Sequence, residues 1–451
     1  MVGPHRELPA RGTDALRSGP TRATFAATTS VADVLETVAR RLIWVGVLLT
    51  TISPRIEFGS VHFNGGDLAG LAATCSWLAA WVLSRSRPML LRAAFWPFVL
   101  VALGVASSVA STDIRATGVG VLELVLLWLL PTLTVPNIVS TPARVATFLD
   151  CVSIGSLVAG TLNLLQAARL GLGGGLPQVW GAAQYLQGYF QAFGLIVALS
   201  RTVGAINARQ FRGSLSWAIA CFVNATALLL TQTRGAWLAA FAAIVVLGIL
   251  WRPSVLVMAL GAVAVIILAL SGTVWVSAMG QRLQSIFSLE SNLSGFESSL
   301  GRLALAVTAW KMFLAHPLMG IGLKNFAIAM PLYAPPGMPL AYEMGPGHVL
   351  TAVEGPHSTY LSLLSEVGIF GFVSLFCWEL GALWYLYRGV RAERAVVVNH
   401  EQGAAVMLAA VVVVVVYNLF FEMNQAGTLI FVSVLALGYR SVGRLAPETT
   451  L

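Results

Sequence analysis

The chain has 451 residues, of which 57% are hydrophobic and only 10% charged, with a formal net charge of +8 and a mean hydropathy of +0.81. Such a composition excludes a water-soluble globular core. Apolar runs of about 20 residues recur, each long enough to cross about 30 Å of hydrocarbon, so the sequence predicts an all-α polytopic membrane protein.

Residues 1–30 are polar, carry Arg6, Arg11, Arg17 and Arg22, and lack the short apolar core of a cleavable signal peptide. They read as a disordered cytoplasmic tail. About twelve spans follow, near 31–52, 68–84, 90–110, 116–134, 143–166, 184–200, 214–231, 235–251, 254–278, 358–387, 402–421 and 425–440. The first nine fill residues 31–278, a polar loop occupies 279–357, the last three lie within 358–440, and 441–451 form a second cytoplasmic tail. With both termini cytoplasmic, most of the 27 Lys and Arg fall on that side, as the positive-inside rule requires. The basic balance is then a topology signal and argues against nucleic acid as a partner. The 279–357 loop faces outward.

Cys75, Cys151, Cys221 and Cys377 all sit in apolar runs and read as small buried hydrophobes. No CxxC, HExxH or carboxylate cluster suggests a metal, and the Gly-rich stretch at 171–175 lacks a P-loop lysine, so neither metal nor cofactor is expected. Acidic residues in or beside spans are few, chiefly Glu123, Asp150, Glu366, Glu379 and Glu422. That scarcity, with no repeat between halves, makes a secondary transporter the weaker reading.

The chemistry begins between the seventh and eighth spans. Thr231-Gln-Thr-Arg234-Gly235 is a tight outward connection in which Arg234 has almost no soluble loop to solvate it. Planar guanidinium forks bind phosphate oxygens bidentately, so Arg234 and Arg302 are candidates for holding a lipid-linked diphosphate. Snorkelling to headgroups is the plainer alternative for both. The 279–357 loop holds Arg282, Arg302, Lys311, His316, Lys324, Glu343, His348, Glu354 and His357, many ionisable groups for so apolar a chain. Leu303, Val307, Trp310 and Leu314 recur at helical spacing, flanked by Arg302 and Lys311, and predict an amphipathic helix along the membrane surface that Pro317 ends. Gly320-Ile-Gly322-Leu-Lys324-Asn325-Phe326 reads as a turn, and Pro331 to Gly347 as an irregular, lid-like excursion. His357 opens the next span, where the helix dipole favours neutral imidazole; it reads as a general base or as a capping histidine. Lys311, Lys324, Asn325, His348 and Tyr360 are secondary site candidates, with a solvated-surface or aromatic-belt role as their alternative.

The set Thr231-Gln-Thr-Arg234-Gly, Gly301-Arg302, His316-Pro-Leu-Met-Gly320-Ile-Gly322, Asn325-Phe326, and His357-Ser358 with nine residues to Gly368-Ile-Phe-Gly371 resembles the O-antigen ligase and polymerase superfamily. The resemblance covers roughly residues 230–375 and implies a GT-C-like glycosyltransferase with one large periplasmic loop, in the bacterial inner membrane. It implies an undecaprenyl-diphosphate-linked glycan as donor and, for a ligase, lipid A-core as acceptor, with membrane lipids around both. By the same resemblance Arg234 and Arg302 hold the diphosphate, His357 activates the acceptor hydroxyl, and no metal is needed. The stretch Gln178 to Phe193 departs from the pattern, offering glutamines and aromatics where a further cation is expected. A ligase is favoured over a polymerase or a protein O-oligosaccharyltransferase of the same superfamily.

Overall fold

The computed structural model describes residues 30–52, 55–58, 61–84, 92–170, 184–231, 233–270, 299–336, 341–344, 349–352, 355–395, 403–421 and 428–439. Helices α1 (Val31–Ile52) and α2 (Gly65–Ser84) lie side by side, joined by the antiparallel strands β1 (Arg55–Phe58) and β2 (Val61–Asn64). Asn64 and Asp67 cap α2 reciprocally, each side chain accepting from the other's backbone N–H at 2.9 and 3.0 Å. Helix α3 (Arg92–Ser107) leads to a rod made of α4 (Ile114–Glu123), a π-helical segment Leu124–Leu129 and α5 (Leu130–Ile138). Asp113 starts the rod by accepting from the N–H groups of Arg115 and Ala116.

Then come α6 (Pro142–Leu170), α7 (Gln184–Asn207), α8 (Phe211–Leu230), α9 (Arg234–Leu250) and α10 (Ser254–Leu270). Helix α7 is the axis of the bundle, 83% buried along its apolar window and packed against α6, α8 and α9. Its polar side chains are spent inward: Gln187 donates to Thr51 O at 3.1 Å, Gln191 to Ser156 O at 3.0 Å, and Arg201 pairs with Asp150 at 2.8 Å.

The loop region supplies α11 (Ser299–Ala315), α12 (Phe326–Tyr333) and the hairpin β3 (Ala341–Met344) and β4 (Val349–Ala352). After it come α13 (Thr359–Glu366), α14 (Ile369–Ala395), α15 (Gly403–Phe420), which also packs on α7, and α16 (Thr428–Gly438). Each of the twelve predicted spans contains a helix. Among the described residues, eight helical stretches are long and apolar enough to cross a membrane, and Arg234–Leu250 and Thr428–Gly438 are shorter apolar helices.

Two expectations need correction. The single span drawn over 358–387 is two helices, because Gly368 at φ +82° turns the chain between α13 and α14. Pro331 lies inside α12, so the excursion starts only after Tyr333, and its β3 strand pairs with β4 just beyond Gly347. The predicted amphipathic helix runs Ser299–Ala315 and ends before Pro317 as expected, with Leu303, Val307, Trp310 and Leu314 exposed on one face. Its opposite face buries Leu305, Ala309 and Met312 in a small core with Ile321, Phe326 and Met330, separate from the main bundle core.

Candidate functional site

Two glycine motifs of the sequence interlock to hold the loop on the bundle. Ile321 and Gly322 donate backbone hydrogen bonds to the carbonyls of Ser365 and Glu366 at 3.0 and 2.9 Å, and Ile369 donates to Pro317 O at 2.9 Å. Gly320 at φ +63° backs onto the Glu366 carbonyl and Gly368 onto the Leu318 carbonyl, where a Cβ would overlap main chain. Asn325 closes this clasp on the rod: its Oδ1 accepts from Asp113 N at 2.6 Å, and its amide lies 2.9 Å from Thr117 Oγ1.

The residues just after His357 are pinned one after another. Ser358 Oγ donates to Asn418 O at 3.1 Å and caps α13. Thr359 N donates to Phe421 O at 2.9 Å, and its hydroxyl lies 2.9 Å from Asn418 Oδ1. Tyr360 donates its hydroxyl to the Glu379 carboxyl, which also accepts from Asn418 Nδ2 at 2.6 Å. Those bonds stabilise a left-handed backbone at His357, φ +55°, which for a residue with a Cβ costs about 1–3 kcal/mol. Burial, and then the positive charge of nearby Arg302, hold the imidazole down to about 4, so it is neutral at pH 7.

Arg302, in the first turn of α11, carries its guanidinium carbon 5.5 Å from the Phe421 ring centroid. Such a cation–π contact contributes about 1 kcal/mol and fixes the group's position. Phe421 packs edge-on against Tyr189 at 5.4 Å, and Tyr189 against Tyr417 at 4.8 Å. The Tyr189 hydroxyl faces Gly235, where any side chain would overlap it. Arg234 precedes that glycine as the first residue of α9, with Thr233 as N-cap. The structure thus gathers Arg302 and His357 beside Phe421, with the positive N-terminal end of α9 and Arg234 reached through Tyr189. All of these lie at one end of the bundle, where α7, α9 and α13 begin and α15 ends.

The secondary candidates divide. Lys324, also left-handed at φ +57°, reaches Glu123 of the rod at 2.5 Å. Asn325 is fully buried and serves the clasp, while Lys311 is exposed beside the apolar face of α11. Tyr360 belongs to the network behind His357. His316 lies 3.3 Å from the Tyr333 hydroxyl. His348, Arg282 and Glu354 fall outside the described residues.

Sequence reasoning missed Tyr189, Phe421 and Asn418 and gave Glu379 no role here. A carboxyl and an amide inside long apolar runs were the available signal, since such groups are retained only with partners. The stretch around Gln187, which offers no arginine, contributes an aromatic support for Arg302 instead. Among the described residues no three His, Cys, Asp or Glu side chains converge as a metal site would require.

No curated protein matches the chain. A family model described as O-antigen ligase matches residues 219–376, which contain Arg234, Arg302, both glycine motifs and His357. The segment 219–376 of this all-α polytopic membrane protein belongs to the O-antigen ligase superfamily.

Proposed function

We propose that this protein is an O-antigen ligase, a metal-independent inverting glycosyltransferase. It moves a glycan from undecaprenyl diphosphate to a sugar hydroxyl of lipid A-core at the periplasmic face of the bacterial inner membrane. The observation that carries this reading is the meeting of Arg302 with a neutral His357 at the bundle end from which α9 starts. Arg234 and Arg302 bind the diphosphate and neutralise the charge that grows on its bridging oxygen. His357 takes the proton of the acceptor hydroxyl as its oxygen bonds to the anomeric carbon. The bond from that carbon to the diphosphate oxygen breaks on the opposite face, and undecaprenyl diphosphate leaves.

Arg302 gives the step an order. Its charge helps keep His357 a weak base in the free protein; diphosphate bound to Arg302 offsets that charge and raises the basicity of His357 only when donor is in place. The positive-inside bias supports an outward-facing site with both termini cytoplasmic. The exposed apolar face of α11, with Lys311 at its edge, suits a helix lying at the headgroup level.

The test is expression in a Gram-negative strain that lacks its own ligase but makes polymeric O-antigen. A ladder on lipid A-core, lost with His357→Ala, supports ligation. A ladder that forms only in a polymerase-deficient strain would replace the ligase with a polymerase.

A further inference from the structure

Beside the His357 network a cavity opens between the rod, the clasp loop and α13, lined by Glu123, Trp128, Lys324, Thr359, Ser362 and Glu366 together with leucines. Two backbone irregularities frame it. The rod departs from α to π geometry over Leu124–Leu129, whose Leu124, Leu127 and Trp128 line the opening, and Lys324, in a left-handed conformation, pairs with Glu123. Both are features that cluster at functional sites. Thr359, Ser362 and Glu366 form one face of α13, so the wall runs about 10 Å from a point two residues past His357.

The lining decides what fits. Carboxyls at Glu123 and Glu366 and the ammonium of Lys324 disfavour an isoprenoid or acyl tail, since buried charge is costly against hydrocarbon. Two carboxyls against one ammonium disfavour a phosphate. The Ser362 hydroxyl and the remaining acceptor lone pairs of Glu123 and Glu366, beside an indole and leucines, suit an uncharged ring with many hydroxyls and apolar C–H faces. The geometry points to this cavity as the subsite for the acceptor's sugar ring, seated so that the attacked hydroxyl reaches His357. This inference rests on the glycosyl-transfer reading above. A purely structural ion pair between Glu123 and Lys324 would lock the clasp and leave acceptor affinity untouched.

The experiment uses the full chain in detergent, a lipid-linked oligosaccharide as donor and O-antigen-free lipopolysaccharide as acceptor, with KM measured for each. Ser362→Phe, which fills the cavity, and Glu123→Gln, which weakens hydrogen bonding to the sugar, should each raise acceptor KM about tenfold with donor KM unchanged. If Ser362→Phe fails to fold by size exclusion, Ser362→Ala takes its place, with a rise of about threefold expected. Unaltered acceptor KM in the variants, or an equal rise for donor and acceptor, overturns the subsite alone. No transfer by the parent protein to this acceptor or to a second lipid-linked glycan overturns the transfer reading and the subsite with it.

Discussion

Asn418 is the most exacting test of how His357 is held. Its side chain is fully buried, donates to Glu379 Oε1 at 2.6 Å and faces the Thr359 hydroxyl at 2.9 Å. Asn418→Ala removes both bonds, and the Thr359 hydroxyl still donates to Phe421 O at 2.8 Å. Glu379, 2% exposed, loses one of its two donors. A hydrogen bond of this kind contributes about 1 kcal/mol when neutral and up to about 3 when one partner is ionised, and interhelical bonds in membranes fall toward the lower end. The expected loss of stability is therefore about 1–3 kcal/mol, small enough for the bundle to persist. Thr359 N still reaches Phe421 O and Tyr360 still reaches Glu379, so His357 is loosened and not released. Misplacement of a reacting group by a fraction of an ångström up to 1 Å lowers turnover about 10- to 100-fold. The assay is kcat and donor KM in detergent beside a thermal melt: kcat falls, donor KM holds, and the melt shifts downward by a few degrees. Asn418→Asp should be worse than Asn418→Ala, because it sets a second carboxyl against Glu379. An Asn418→Asp variant with the parent's kcat and melting temperature would refute the positioning network.

Without donor, His357 should titrate near 4 by imidazole NMR, and Arg302→Gln should move it upward toward 6.5; an unmoved value would separate the two residues. Because its folded value is depressed, the unfolded chain binds more protons between 6.5 and about 4, so acidification through that window should destabilise the parent more than His357→Ala. Gly368→Ala places a Cβ against the Leu318 carbonyl at φ +82° and should cost about 2–4 kcal/mol, read as a lower melting temperature; a parent-like melt would mean the clasp is not needed. A chelator should leave transfer unchanged, and inactivation reversed by a divalent ion would contradict a metal-independent reaction.

The spans were legible because crossing hydrocarbon demands a run of apolar residues whatever the neighbours are. The surface helix was legible for a related reason, since Leu303, Val307, Trp310 and Leu314 repeat with the period of one face. Contacts between distant segments leave no such period. Nothing in Gly320-Ile-Gly322 says that it hydrogen-bonds Ser365 and Glu366, and nothing in Gln184–Asn207 says that Tyr189 will face Gly235. The acids in the spans illustrate the same limit. Glu123, Asp150, Glu366 and Glu379, readable alone as a transporter's ionisable track, each find a local partner: Lys324, Arg201, the Phe326 N–H and Tyr360 with Asn418. Glu422 lies outside the described residues. Arg302 and His357 were recognisable by residue type and order, but their shared contact region around Phe421 depends on where α15 ends.

The most direct measurement is single-turnover transfer by the purified chain from undecaprenyl-diphosphate-linked glycan to O-antigen-free lipopolysaccharide, comparing the parent with His357→Ala and Arg302→Gln at equal folded concentration. The account predicts product with inverted anomeric configuration from the parent and a loss of at least about 100-fold in both variants. Parent-like rates in a folded His357→Ala, or retention of configuration, would contradict it.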